Sequence, residues 1–261
     1  MAAEKKVAIV TGSATGLGAA AARMLAQQGW AVTINYTKSK AEAEETEAQC
    51  RKLGAETLLV QADVADDADC RRMVQATIDK WGRVDGLINN AGVSKFNAHA
   101  NLDGVDKDDF LRIYSVNVIG AYQMVRAVAP HMKKQGRGSV VNISSVAGVM
   151  GIGSSVPYAA SKGALNTMTL SLARALGPEI RVNAVCPGFI QSRWLRTGLG
   201  DATYENVKKQ QEENTPLKHA GTPEDMAEVA VWFITGAGNV TGEVLISDAG
   251  MHLAGSPLKA R

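Results

Sequence analysis

Nowhere in the 261-residue chain do about 18 apolar residues run together, so no segment reads as a membrane span. Cysteine is scarce. Cys50, Cys70 and Cys186 are odd in number, far apart and without metal-ligand spacing, and they read as reduced thiols of a cytoplasmic protein. The histidines His99, His131, His219 and His252 form no spaced cluster, so no metal site is expected. Aromatic residues make up 5%, too few for a base-stacking platform. The net charge is +2 with both signs mixed, whereas a nucleic-acid surface needs a concentrated basic face. No linker, repeat or low-complexity stretch divides the chain, and Met-Ala-Ala-Glu-Lys-Lys enters the first strand without a charged-then-apolar signal segment. What remains is a chain that is 46% hydrophobic, enough to bury a large core, and it reads as one domain over residues 1–261.

Taken in order, the pattern alternates strand and helix. Residues 7–10 are a short apolar run of the kind buried in a parallel sheet. Thr11-Gly12-Ser13-Ala14-Thr15-Gly16-Leu17-Gly18 follows, and then a helix-forming stretch to residue 28. Glycines let a ligand approach the backbone, and the helix aims its unbonded N–H groups at the gap, so a pyrophosphate is the natural occupant. The alternative is a tight turn that only closes helix onto sheet. Residues 31–35 form the next strand and run into Asn35-Tyr36-Thr37-Lys38-Ser39. An NAD enzyme usually places a carboxylate here for the ribose 2′-hydroxyl. None is present, and Thr37, Lys38 and Ser39 could hold a 2′-phosphate, which favours NADP(H) over NAD(H); otherwise Lys38 is a solvated loop charge. A helix over 41–53 leads to a third strand over 56–61 and Ala62-Asp63-Val64. Asp63 could accept from an adenine amino group or cap a helix, with Asp66 the better cap.

A fourth strand over 84–88 delivers Asn89-Asn90-Ala91-Gly92, a wall suited to close packing on a flat ligand. Residues 93–107 read as loop and 108–134 as one long helix. Asn117 in its middle is a poor helix former and calls for a bend or a bound neighbour; Pro130 adds a second irregularity. A fifth strand over 138–143 ends in Ser144 and Ser145, residues 148–155 read as loop, and a sixth strand over 180–185 runs into Pro187 and Gly188. Residues 190–215 read as a mobile lid containing a polar helix over 203–211. A helix over 223–234, capped by Thr222, and a last strand over 244–246 complete an α/β doubly wound parallel sheet (a Rossmann fold) of about seven strands with helices on both faces.

Tyr158 and Lys162 stand four apart on a helix whose first turn carries Pro157. Positions four apart share one face, and a neighbouring cation favours phenolate. The spacing therefore predicts a tyrosine pKa below its usual value of about 10 and a group able to exchange a proton with an alcohol or carbonyl oxygen.

With Thr11-Gly12-x-x-x-Gly16-x-Gly18, Asp63, Asn89-Asn90-Ala91-Gly92, Asn117, Ser145, Tyr158-x-x-x-Lys162 and Pro187-Gly188 in this order, the whole chain resembles the conventional short-chain dehydrogenases/reductases. The resemblance implies hydride transfer between a nicotinamide and a carbonyl or secondary alcohol, with Tyr158 as acid/base. It also implies that Lys162 tunes Tyr158 and bonds the nicotinamide ribose, that Ser145 holds the substrate oxygen, and that Asn117 positions a water. It places Gly12, Thr15, Gly16, Leu17, Gly18, Asn35, Tyr36, Thr37, Lys38, Asp63, Val64, Asn90, Ala91, Gly92, Tyr158, Lys162, Pro187, Gly188 and Ile190 at the cofactor. Ser145, Tyr158 and Trp194 would meet a small-molecule substrate, with Val93, Ser94, Phe96, Gly151, Ile152 and Leu195 as further pocket candidates. It implies a homotetramer built through the Asn117 and Tyr158 helices and the C-terminal strand. Two departures stand out. Thr15 replaces the base that NADP-dependent members often carry, and Gly177-Pro178-Glu179 puts an acid where acyl-carrier-protein reductases use bases, although Lys133, Lys134 and Arg137 could compensate. Two alternatives therefore stay open: 3-oxoacyl-acyl-carrier-protein reduction, and a catalytically idle dinucleotide-sensing scaffold on the same fold.

Overall fold

The computed structural model describes residues 5–253; the first four residues of the N-terminal stretch read above lie outside the described residues. The elements run β1 (Val7–Val10), α1 (Gly16–Gln27), β2 (Ala31–Tyr36), α2 (Lys40–Lys52), β3 (Thr57–Gln61), α3 (Asp67–Trp81) and β4 (Gly86–Asn89). They continue with α4 (Lys107–Tyr114), a wider π turn (Ser115–Gly120), α5 (Ala121–Gln135), β5 (Gly138–Ile143), α6 (Ala147–Met150), α7 (Val156–Leu176) and β6 (Ile180–Pro187). The chain then forms α8 (Arg193–Leu199), α9 (Asp201–Asn214), α10 (Pro223–Thr235) and β7 (Val244–Ser247). The strands form one parallel seven-stranded sheet in the order β3-β2-β1-β4-β5-β6-β7.

Period-2 alternation divides the core. Ala8, Val10, Ile88 and Val141 pack on one face with α1 and α10, through residues such as Leu25 and Phe233. Ile9, Leu87 and Val140 pack on the other with α3 and α5, through Met73, Met124 and Met132. Because both faces are covered, β1, β2 and β4 are buried along their whole lengths, which is why β1 reads as a continuous apolar run and β2 and β4 are mostly apolar without a polar face. The strand order reverses between β1 and β4, and the carboxyl ends on either side of that reversal define the crevice where such sheets bind ligands.

Local chemistry sets the helix boundaries. Asp66 caps α3 by accepting from Asp69 N, and Ser155 caps α7 by accepting from Tyr158 N. Thr222 and Asp225 form a reciprocal capping box at α10. The expected long helix over 108–134 is three pieces: α4, the π turn and α5, which continues through Pro130. Residues 148–155, expected as loop, lie partly in α6, and the expected loop over 93–107 holds a single 3-10 turn, Leu102–Gly104. Ahead of α9, α8 is capped by Ser192, whose hydroxyl accepts from Leu195 N at 3.2 Å.

Candidate active site

The glycine turn is braced from two sides. Thr11 Oγ1 accepts from the backbone N–H groups of Asn90 and Ala91, each at 3.0 Å. The Asn90 amide donates to the carbonyls of Thr11 (3.0 Å) and Gly12 (2.9 Å). A Cβ on Gly18 would lie 2.4 Å from Asn90 Nδ2 and 2.6 Å from the Gly12 carbonyl oxygen, so only glycine lets α1 approach this closely. Thr15, the N-cap of α1, makes no side-chain cap bond, which leaves the first-turn N–H groups open toward the cleft. Open donors at a helix N-terminus, behind a turn that a Cβ would disrupt, fit a dinucleotide pyrophosphate. Gly18→Ala is expected to weaken NADPH binding by roughly ten- to a hundredfold, the effect of about 1–3 kcal/mol of overpacking, read by fluorescence titration.

Asn35 is the main correction among the expected cofactor contacts. It is fully buried and does not line the cleft. Its Oδ1 accepts from Gly12 N at 2.9 Å and its Nδ2 donates to the Ala62 carbonyl at 3.0 Å. It holds the turn from behind, buried away from the cleft where a ribose would lie. Gly18 likewise lies behind the cleft wall. The other expected cofactor positions line one cleft of about 1130 Å³: Gly12, Thr15, Gly16, Leu17, Tyr36, Thr37, Lys38, Asp63, Val64, Asn90, Ala91, Gly92, Tyr158, Lys162, Pro187, Gly188 and Ile190. That volume exceeds the ordinary range for a single small ligand and leaves room for a dinucleotide and a substrate together. Asp63 caps no helix; its carboxylate accepts from Ala65 N at 3.0 Å.

Ser145, Tyr158, Lys162 and Trp194 meet in the same cleft. Lys162 is buried, and its ammonium donates to the Ile143 carbonyl at 2.8 Å and lies 5.6 Å from the Tyr158 ring centroid. Ser144 is committed to the Lys162 carbonyl at 3.0 Å, whereas the Ser145 hydroxyl accepts from Ala147 N at 3.1 Å and acts on the Tyr158 phenol across the cleft. Asn117 lies beneath the cleft wall, in the π turn. Its Oδ1 accepts from Val93 N (2.8 Å), and its Nδ2 donates to the Val93 carbonyl and Ser161 Oγ, each at 3.0 Å. Ser161 in turn donates to the Tyr158 carbonyl at 2.7 Å. The widened turn is thus the bend that an asparagine in mid-helix called for. Asn117 positions the loop after Gly92 and the Tyr158 turn, and the cleft wall does not include it.

The electrostatics overturn the expected tyrosine shift. Burial pushes the Tyr158 phenol up to about 12. The hydrogen bond with Ser145 pulls it down, and negative charge on Cys186 raises it further. Burial also brings Lys162 down to about 8, against an opposing pull from Cys186. Spacing brought the two groups together, but burial disfavours the charged form of both. The phenol is therefore protonated at neutral pH, which is the form that donates to a carbonyl oxygen.

Of the further pocket candidates, Val93, Phe96, Ile152 and Leu195 line the cleft, while Ser94 and Gly151 do not. Ser94 instead bonds Ser154 at 2.6 Å. Sequence reasoning did not single out Arg112 and Val116, on the α4 side, Arg193 and Gln211, from α8 and α9 after β6, or Met251, just after β7. Val116 had a signal, since it adjoins Asn117. The others reach the cleft only through tertiary packing. Among the described residues no cluster of His, Cys, Asp or Glu could hold a metal ion, and no helix is long and apolar enough to cross a membrane.

A doubly wound sheet with a dinucleotide cradle at its switch point and a half-buried tyrosine over a buried lysine beside it is the architecture of a nicotinamide-dependent oxidoreductase. The enoyl-(acyl carrier protein) reductase family model matches residues 12–252. The protein assigned as ketoacyl reductase 2 of the granaticin polyketide synthase of Streptomyces violaceoruber is 40% identical over 250 residues, 96% of this chain and 97% of its own. The 3-oxoacyl-[acyl-carrier-protein] reductase of Staphylococcus epidermidis is 32% identical over 95% of this chain and 99% of its own. A crystal structure of a short-chain dehydrogenase/reductase from Burkholderia xenovorans superposes with a TM-score of 0.89 at 42% identity, covering 96% of this chain and 99% of that one. The chain belongs to the short-chain dehydrogenase/reductase family, oxidoreductases that act on CH–OH and carbonyl groups with a nicotinamide dinucleotide.

Proposed function

We propose that the protein reduces a ketone to a secondary alcohol with NADPH, or runs the reverse reaction, with Tyr158 moving the proton. The observation that carries this reading is the convergence of a protonated Tyr158, Ser145 and buried Lys162 in the cleft that holds the glycine turn. The bound cofactor supplies the hydride to the carbonyl carbon. Tyr158 supplies the proton to the oxygen, Ser145 orients that oxygen, and Lys162 stabilises the phenolate left behind. Asn117 keeps the Tyr158 turn and the Val93 loop in register. The direct test is consumption of NADPH in the presence of a ketone panel, with formation of an equal amount of alcohol.

The preference for NADP(H) rests on Thr37, Lys38 and Ser39, which line the cleft where β2 ends without a carboxylate. The acid nearest along the chain, Glu42 in the first turn of α2, pairs with Arg193 at 2.9 Å, and its own backbone N–H, followed by the Arg193 guanidinium, holds its carboxyl below the usual range. Lys38→Ala is expected to raise KM for NADPH roughly fivefold and leave KM for NADH unchanged, the scale of one exposed charge-assisted contact; steady-state kinetics with both cofactors check this. Exposed Ile119, Tyr122, Val156 and Leu170 on the π turn, α5 and α7 support a homotetramer through those helices, and three buried free cysteines support a reducing, cytoplasmic setting. The carrier-protein reductase among the relatives favours a second reading, 3-oxoacyl-acyl-carrier-protein reduction.

A further inference from the structure

The substrate end of the cleft has a built wall. The Trp194 and Tyr158 ring centroids lie 6.1 Å apart with planes tilted by 41°. Phe96 packs on Trp194 at 5.2 Å and 54°. Phe96 has this place because α8 carries glycine opposite it: a Cβ on Gly198 would lie 2.0 Å from the Phe96 ring. The loop after β4 therefore seats a ring in a notch of α8, and that ring backs the indole. Trp194 nevertheless remains 46% exposed, and its open surface lies in the cleft with Tyr158.

The surrounding polarity narrows what fits. Ile152, Leu195 and Leu199 complete an apolar lining. Of the polar groups there, Ser154 is bonded to Ser94 and Arg193 to Glu42. With Ser115 bonded to the Leu111 carbonyl and Ser192 to Leu195 N, that leaves Gln211 and the exposed Arg112 besides the Ser145 and Tyr158 hydroxyls that meet the reacting oxygen, too few partners for a polyol, whose buried hydroxyls would each lose water without replacement. A linear acyl chain would gain apolar contact but would not use the tilted ring array.

Resting on the carbonyl-reductase reading above, we infer that the substrate is a compact apolar ketone with a planar ring beside the carbonyl, and that Trp194, backed by Phe96 in the Gly198 notch, sets this preference. A substrate ring against Trp194 adds a third member to a tilted aromatic array. Ring pairs of this kind contribute about two- to tenfold in equilibrium terms beyond the area they bury.

The test compares kcat/KM for acetophenone, for 2-octanone with the same number of carbons, and for an acetoacetyl thioester of N-acetylcysteamine. L-rhamnose is assayed in the oxidative direction with NADP+. The wild type, Trp194→Leu and Trp194→Phe are each measured. Acetophenone is expected to be the best of the four in the wild type. Trp194→Leu keeps apolar bulk and should lower the acetophenone to 2-octanone ratio by roughly three- to tenfold. Trp194→Phe keeps a ring and should largely preserve it. The ratio is taken within each variant, so partial misfolding cancels. A wild type that prefers the thioester, the sugar or 2-octanone, or a ratio unmoved by Trp194→Leu, overturns the inference while leaving the oxidoreductase reading intact. No NADPH consumption with any carbonyl overturns both.

Discussion

Tyr158→Phe is expected to lower kcat by roughly 10²- to 10⁴-fold, the usual range for loss of a positioned general acid, while NADPH binds within about twofold of wild type. The substitution removes one oxygen and keeps the ring, so the packing against Trp194 survives. The glycine turn lies on other elements, braced by Thr11, Asn35 and Asn90, and has no need of the phenol. The separation between intact binding and lost turnover is the informative result. Stopped-flow mixing of the variant with NADPH and then ketone should show the binding signal and only a residual rate of nicotinamide oxidation. A variant that reduced ketones at the wild-type rate would remove Tyr158 from the chemistry.

Lys162→Met should act on two observables at once. Turnover should fall by roughly 10²- to 10³-fold, as when one electrostatic stabiliser of a developing anion is removed. The second effect is on stability. Burial lowers the Lys162 pKa in the folded protein from 10.5 to about 8. Between those values the unfolded chain binds a proton that the folded chain has released, so this group's contribution to stability increases as pH rises through 8 and levels off above the unfolded value. From pH 7 to pH 10 the wild type should therefore gain roughly 2 kcal/mol relative to Lys162→Met. Both proteins carry Tyr158, so its own titration largely cancels in the difference. Urea unfolding of the cofactor-free proteins across this range measures the gain. Parallel pH profiles would mean that the ammonium is solvated rather than buried against the Ile143 carbonyl.

The architecture was legible because its strands are covered on both faces and so appear as short apolar runs, while its helix starts carry their caps in sequence: Asp66, Ser155 and Thr222. The chemistry was legible where it depends on local spacing. Tyr158 and Lys162 are one helical turn apart, whereas Ser145 was singled out only through the family resemblance. What spacing could not convey was environment. That Lys162 would be spent on a carbonyl 19 residues earlier, and that burial would raise the phenol rather than leave it lowered, are tertiary facts. Asn35 was misplaced for the same reason: nothing at the end of a strand shows that the N–H of Gly12 will arrive 2.9 Å from its amide oxygen. The seven residues of α8, Arg-Trp-Leu-Arg-Thr-Gly-Leu, are too few for a helical period to emerge, and the role of Gly198 exists only once Phe96 is seated against it.

The most direct test is one assay: the purified wild-type protein, NADPH and an apolar ketone, followed by nicotinamide absorbance and by chromatography of the product. The expected result is loss of NADPH matched mole for mole by a secondary alcohol, faster than with NADH at equal concentration. Saturable NADPH binding without any alcohol, across the whole ketone panel, would contradict it and leave a protein that holds a dinucleotide without using it.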